Sequence, residues 1–210
     1  MNYWVSSDLH IQHKNILKLC PGRGLIWDTV EDMAEDLIKR HNELVKTDDI
    51  ILWLGDLFLG DKEVGIKKYL HKFNGNKVVL AGNHDWLPTE DSKSRCEKFD
   101  ALYRDCGISE IYQGCIKLSD ITGDSSHGKI HLCHFPPTHV EKVAISSGNY
   151  VLRYSNLRPT IHEDEYLICG HVHSQQHLLA TNCYHCGIDA TIHNFAPVRL
   201  EDILTRLEIK

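Results

Sequence analysis

Five short apolar runs in this chain each stop at a side chain of one narrow chemical kind. "YWVSS" leads to Asp8 and His10, "IILWLG" to Asp56, and "KVVLAG" to Asn83, His84 and Asp85; "KIHLC" leads to His134, and "EYLICG" to His171 and His173. Runs of this length, rich in Val, Ile, Leu and aromatic residues and bounded by turn formers, read as strands. A sixth run, "YHCGI", reads the same way. In α/β folds, ligands gather at the carboxyl ends of strands. A fold that aligns these strands therefore delivers carboxylate, amide and imidazole groups to one edge.

Between the first two runs, "DTVEDMAEDLIKRHNELV" places Val30, Met33, Leu37, Ile38, Leu44 and Val45 at helical spacing, with Asp28 as cap and Glu31 three residues on. A second helix is expected over "DKEVGIKKYLHKF", opened by Asp61 and closed by the "NGN" turn at 74 to 76, and a third from about Ser92 to Tyr103. Strand and helix alternate early, which argues for α/β units. Later strands carry less helix between them, which fits a mixed sheet or two packed sheets. Residues 118–128 read as a turn or hairpin tip, and 138–163, without a clean period, as a partly ordered loop.

At 210 residues the chain is expected to form a single domain spanning 1–210. Its net charge of −6 excludes a global basic field for capturing nucleic acid. Bound cations would change that balance locally, so a phosphorylated substrate stays compatible. "MNYWVSSDLH" has no signal-peptide pattern and no run is long enough to span a bilayer, so the expected location is cytoplasmic and no membrane partner is expected. Eight cysteines are then read as reduced, with Cys133, Cys169 and Cys186 as small core residues. "CYHC" at 183–186 has zinc-like spacing but no second pair, so the strand reading is preferred.

Taken singly, an Asp after a strand is a turn former and a His a core residue. Taken together they are a donor set. His10 and His173 each follow a potential ligand by two residues, which on an extended segment puts both side chains on one face. Hard oxygen and borderline nitrogen donors, with little thiolate, suit two divalent metal ions: Mn2+ first, with Fe, Zn or Ni also compatible. One carboxylate can bridge ions about 3.5–4 Å apart, the arrangement that serves phosphoryl transfer.

In order and spacing, "DLH" at 8–10, "GD" at 55–56, "GNHD" at 82–85, His134 and "GHVH" at 170–173 resemble the calcineurin-like metallophosphoesterases. The opening "SDLHIQHKNIL" and the tail "GIDATIHNFAPVRLEDI" are similar to those of a small bacterial and phage-type subgroup, whose tail runs through a Pro-Val turn into a final helix. The resemblance implies an α/β fold, a four-layer α-β-β-α sandwich with two mixed β-sheets flanked by helices. It implies that Asp8, His10 and His173 hold one ion, Asn83, His134 and His171 the other, and that Asp56 bridges them. A metal-bridging hydroxide would attack, and His84 would protonate the leaving oxygen.

Asp85 then has two candidate duties, orienting the His84 imidazole and raising its pKa, or capping the next helix. His13 and Arg23 are candidate phosphate contacts, His13 at an expected helix N-terminus and Arg23 through its fork of donors. Asn15, His139, Arg153 and Arg158 are weaker candidates, and the stretch between His134 and His171 could form a rim over the metals. The expected activity is that of a phosphodiesterase on a nucleotide or nucleic-acid-derived substrate. A phosphomonoesterase or nucleotide pyrophosphohydrolase would use the same centre, and an inactive binding or scaffold module is the alternative of another class. Neither a stable protein partner nor an oligomeric state follows from the sequence.

Overall fold

The computed structural model describes residues 1–85, 93–144 and 154–209. The chain runs β1 (Tyr3–Ser6), α1 (Ile16–Leu19), α2 (Pro21–Gly24), α3 (Val30–Leu44), β2 (Ile50–Trp53), α4 (Lys62–Tyr69), β3 (Asn76–Leu80), α5 (Lys93–Asp105) and β4 (Ile108–Tyr112). It continues through β5 (Cys115–Lys117), α6 (Ser119–Thr122), β6 (Ile130–Cys133), α7 (Thr138–Ala144), β7 (Tyr166–Cys169), β8 (Leu178–Ala180), β9 (Cys183–His185), β10 (Val198–Arg199) and α8 (Leu200–Arg206).

Among the described residues, two five-stranded mixed sheets result. One has the order β10-β1-β2-β3-β4, with β1 to β4 parallel and β10 antiparallel to β1. The other has the order β5-β6-β7-β9-β8, with β6, β7 and β9 parallel and an antiparallel strand at each edge. The period of two along each strand decides the layers. Val5, Leu52, Leu54, Val78 and Leu80 face Leu132, Ile168 and Tyr184 of the other sheet, joined by Leu200 and Ile203 of α8. The alternate residues Ile51, Trp53 and Val79 meet Met33 and Leu37 of α3, Ile66 of α4 and Tyr103 of α5. On the far side, Cys133, Leu167, Cys169 and Cys183 meet Val140 of α7. The fold is the expected four-layer sandwich, and burial on both faces is why its strands read as near-continuous apolar runs.

Several local expectations change. The cap of α3 is Thr29, whose side chain accepts from the Asp32 amide, rather than Asp28. Thr29 has the extended backbone a cap requires, and the helix begins one residue later than the Asp28–Glu31 pattern suggested. Asp61 does cap α4, accepting from Val64 N at 3.2 Å. Ser92 lies outside the described residues, and α5 continues two residues past Tyr103. The segment 118–128 does link an antiparallel strand pair, but as a helical turn followed by a 3-10 turn. The stretch 138–163 begins with α7, while 145–153 lie outside the described residues. Cys183 and Cys186 pack into different core layers, so they do not form a zinc pair. Val198 of the expected Pro-Val turn opens β10, which pairs with β1, and Pro197 precedes the strand. No helix among the described residues is long and apolar enough to cross a membrane.

Candidate metal centre

The loops after β1, β2, β3, β6 and β7 meet at one edge of the sandwich. The first two are tied by parallel bonding beyond the strands: Asp8 N donates to Gly55 O, His10 N to Asp56 O and Ile11 N to Leu57 O, at 2.9–3.0 Å. The two sheets approach each other here through a bridge between Ser7 and Gly187. Gly82 and Gly170 sit where the loops crowd, since a Cβ on Gly82 would strike the Asp56 carboxylate and one on Gly170 the carboxylate of Asp8.

Five of the seven candidate ligands adopt left-handed backbone: Asp8 (φ 61°), His10 (51°), Asp56 (57°), His171 (73°) and His173 (47°). For residues with a Cβ this costs about 1–2 kcal/mol each, and such positions persist where the surroundings over-determine them, typically at functional sites. The shared facing of Asp8 and His10 therefore comes from two left-handed kinks and not from an extended segment.

The donor atoms converge. His10 Nε2 lies 3.1 Å from His173 Nε2, 3.9 Å from Asp8 Oδ1 and 3.7 Å from Asp56 Oδ2. His134 Nε2 lies 3.4 Å from Asp56 Oδ2 and 3.0 Å from Asn83 Oδ1, and His171 Nδ1 lies 2.8 Å from the same amide oxygen. Ligands about 2.1 Å from one ion stand about 3.0 Å apart at a right angle and up to about 4.2 Å apart on opposite sides, so spacings near 3–4 Å suit coordination. Asp8, His10 and His173 form one group able to hold a metal, and Asp8, Asp56 and His134 another. Asp8 Oδ1 is buried with no hydrogen-bond partner among the described residues, as a ligand atom reserved for a cation would be.

The surrounding bonds fix each donor. Asp8 Oδ2 accepts from Ser7 Oγ and from His171 N at 2.9 Å, leaving Oδ1 for the site. His134 Nδ1 is bonded to Leu54 O at 2.7 Å, and His173 Nδ1 to Asp189 Oδ2 at 2.7 Å, which turns Nε2 of each ring inward. His171 Nε2 lies 3.5 Å from Glu141 of α7. Burial draws His134 down, yet Asp56 overcomes it and raises it to about 9; burial likewise opposes Asp189, which helps raise His173 to about 10. Burial alone dominates at His10 and lowers it to about 3. Burial also pushes Asp8 and Asp56 up, but the neighbouring rings reverse this and hold both carboxyls low. The buried carboxylates thus demand positive charge, and divalent ions would meet that demand.

His84 stands at the rim, half-buried, its ring 5.4 Å from that of His10. His13 stands beside it, 5.6 Å from His10, with Nδ1 buried and unbonded among the described residues. Burial and the nearby His84 lower the pKa of His13.

Two expectations are corrected. Asp85 turns its carboxylate away from the His84 imidazole to accept from Asp56 N (2.7 Å), Gly82 N (2.9 Å) and Tyr103 Oη (3.1 Å). Three donors in the wall outcompete one ring at the rim, so Asp85 positions Asp56 and its own loop. Arg23 is fully buried and is no phosphate clamp. Its guanidinium donates to Asp189 through Nε and Nη2 at 2.8 and 2.7 Å, and to the carbonyls of Leu9 and Asp8 at 2.8 and 2.6 Å. Its fork braces the first ligand loop against Asp189.

Of the weaker candidates, Asn15 is exposed ahead of α1, His139 is exposed on α7, and Arg153 lies outside the described residues. Arg158 is buried against Glu141 and the Pro136 carbonyl. Sequence reasoning did not single out Asp189, Glu141 or Tyr103. Only Asp189 carried a signal, as the carboxylate of "GID" after the β9 run.

The chain is similar to several known proteins. The gene 66 protein of Mycobacterium phage L5 is 26% identical over 212 residues, covering 90% of this chain and 87% of that protein. An uncharacterized protein of Methanocaldococcus jannaschii is 39% identical over 83 residues, a match that spans 39% of this chain and under half, 46%, of that relative. A protein of unknown function from Aquifex aeolicus, solved by crystallography, shares the fold with a TM-score of 0.61 and 19% identity, covering 97% of this chain and 98% of its own. Residues 1–175 match the family described as calcineurin-like phosphoesterase. The chain belongs to the calcineurin-like phosphoesterase family, whose members bind divalent metals and hydrolyse phosphoesters.

Proposed function

We propose that this chain is a two-metal phosphodiesterase acting on a nucleotide or nucleic-acid end. Asp8, His10 and His173 would hold one ion, Asn83, His134 and His171 the other, and Asp56 would be shared. The observation that carries this reading is the convergence of all seven side chains from five loops, with donor spacings of 2.8–3.9 Å and an unpartnered Asp8 oxygen among them. When bound, divalent ions there supply Lewis acidity to a phosphoryl oxygen and acidify water enough for attack near neutral pH.

The chain's own residues do the rest. Leu54 O and Asp189 hold two imidazoles in the ligating tautomer, and Asp85 holds the Asp56 backbone in place. His84 is the proton donor to the leaving oxygen: like His13 it is a rim imidazole outside both donor groups, and its place in the "GNHD" block, next to Asn83, favours it over His13. A substituent on the phosphate would leave past His84 and His13, and that half-buried rim supports a diester substrate.

The test is to load the protein with Mn2+, count bound metal, and assay bis(p-nitrophenyl) phosphate beside p-nitrophenyl phosphate. Cyclic nucleotides, dinucleoside polyphosphates and phosphopeptides then rank the substrate classes. Two metals bound with turnover favouring the diester is the expected result. Two metals bound with no turnover of any ester would overturn the enzyme reading in favour of a binding module.

A further inference from the structure

On the outer face of the second sheet, Cys115, His131 and Glu165 stand in series. Cys115 Sγ is 3.8 Å from His131 Nδ1, and His131 Nε2 is 3.1 Å from Glu165 Oε1. Glu165 is itself held, its other oxygen accepting from His162 N at 3.0 Å. With the ring's far nitrogen donating to the carboxylate, Nδ1 is free to accept the thiol proton, the order found in thiol nucleophiles activated by a base and its orienting acid. Cys115 is exposed on edge strand β5, so small electrophiles can reach it.

Directly across the antiparallel pair, in register with Cys115, lies Cys133. Opposed residues of such a pair have Cβ atoms about 4.5–5.5 Å apart, and a disulfide needs about 3.5–4.5 Å. Among the described residues, strand β5 is bonded on one side only, to β6, so a shift of that size is open to it.

We propose that Cys115 is a peroxide-reactive thiol activated by His131 and Glu165, with Cys133 as its resolving partner. The Cys115 sulfur attacks one oxygen of a hydroperoxide; the S–O bond forms, the O–O bond breaks, and the departing oxide takes the proton held on His131. Sulfur is oxidised by two electrons and the peroxide is reduced to water or alcohol. The Cys133 sulfur then attacks the sulfenic sulfur, forming the S–S bond and breaking S–O, and hydroxide leaves with the Cys133 proton as water.

Treating the full-length protein with graded hydrogen peroxide and mapping peptides by mass spectrometry tests this. The expected product is a Cys115–Cys133 disulfide, reversed by dithiothreitol. Cys133→Ser should instead accumulate a dimedone-reactive sulfenic acid at Cys115, and His131→Ala should slow alkylation of Cys115 by iodoacetamide at pH 7 by about tenfold. Alkylation of Cys115 no faster than that of Cys20 or Cys106 in the same folded protein would overturn the proposal. So would peroxide products spread over those cysteines with none at Cys115.

Discussion

Asn83 and His84 are neighbours in the chain, yet the proposed centre gives them opposite duties, which makes them a sharp test. His84→Ala should keep both metals and lose about 10²–10⁴ in kcat, read by metal analysis and steady-state kinetics on one preparation. Asn83→Ala should lose metal first, because its amide oxygen meets both His134 and His171. Equal metal content with equal activity loss in the two variants would contradict the division. Arg23 and Asp189 make a second residue-scale case. Arg23→Met should destabilise the fold by about 3–5 kcal/mol, because it strands a buried carboxylate. Asp189→Asn should lower metal affinity about 10–100-fold by loosening His173. Denaturant titration and metal competition separate these effects.

At the scale of elements, the start of the first sheet hangs on one carboxylate. Asp49, buried, accepts from Asn2 N at 2.7 Å, Asn2 Nδ2 and Trp4 Nε1 at 3.0 Å, and Lys46 N at 3.1 Å, tying β1 to the loop between α3 and β2. Burial would raise its pKa, but the Lys46 and Asn2 amides and the Trp4 indole together lower it from 3.8 to about 2. A depressed carboxyl adds stability that is complete above its unfolded value and fades as the proton returns to the folded form. Its contribution should therefore be whole above about pH 4 and lost as pH falls toward 2. Asp49→Ala should cost about 2–3 kcal/mol at pH 7, and the cost should shrink across that acid window in urea titrations. The Thr29 cap of α3 belongs to the same scale: Thr29→Ala should cost about 1 kcal/mol.

For the whole molecule, the proposed centre is a clasp as well as a site, since its donors come from both sheets. Metal that binds the folded chain alone stabilises it by mass action, about 2.7 kcal/mol at a hundredfold excess over Kd. Chelation should therefore lower Tm, and Mn2+ should restore it in a calorimetric titration; a Tm indifferent to chelation of a loaded sample would count against a clasp. Much of this arrangement was legible in the sequence. Burial on both faces demands unbroken apolar strands, so the runs ending at Asp8, Asp56, Asn83, His134 and His171 could be read with no partner in view, and the family's block order placed them at one edge. What the sequence left undecided was every contact made across the fold. Arg23 reads as a surface cation until it meets Asp189, 166 residues away. Asp85 beside His84 reads as its orienter until Tyr103 and two backbone amides claim the carboxylate. The 3-10 and helical pieces around Glu141 have too few residues to show a period. Residue chemistry and local burial pattern are written along the chain and so determine which donors exist and where strands end. Which neighbour each buried charge must satisfy is decided only when the topology brings distant segments together, because in a low-dielectric interior the nearest compatible partner wins over the adjacent residue.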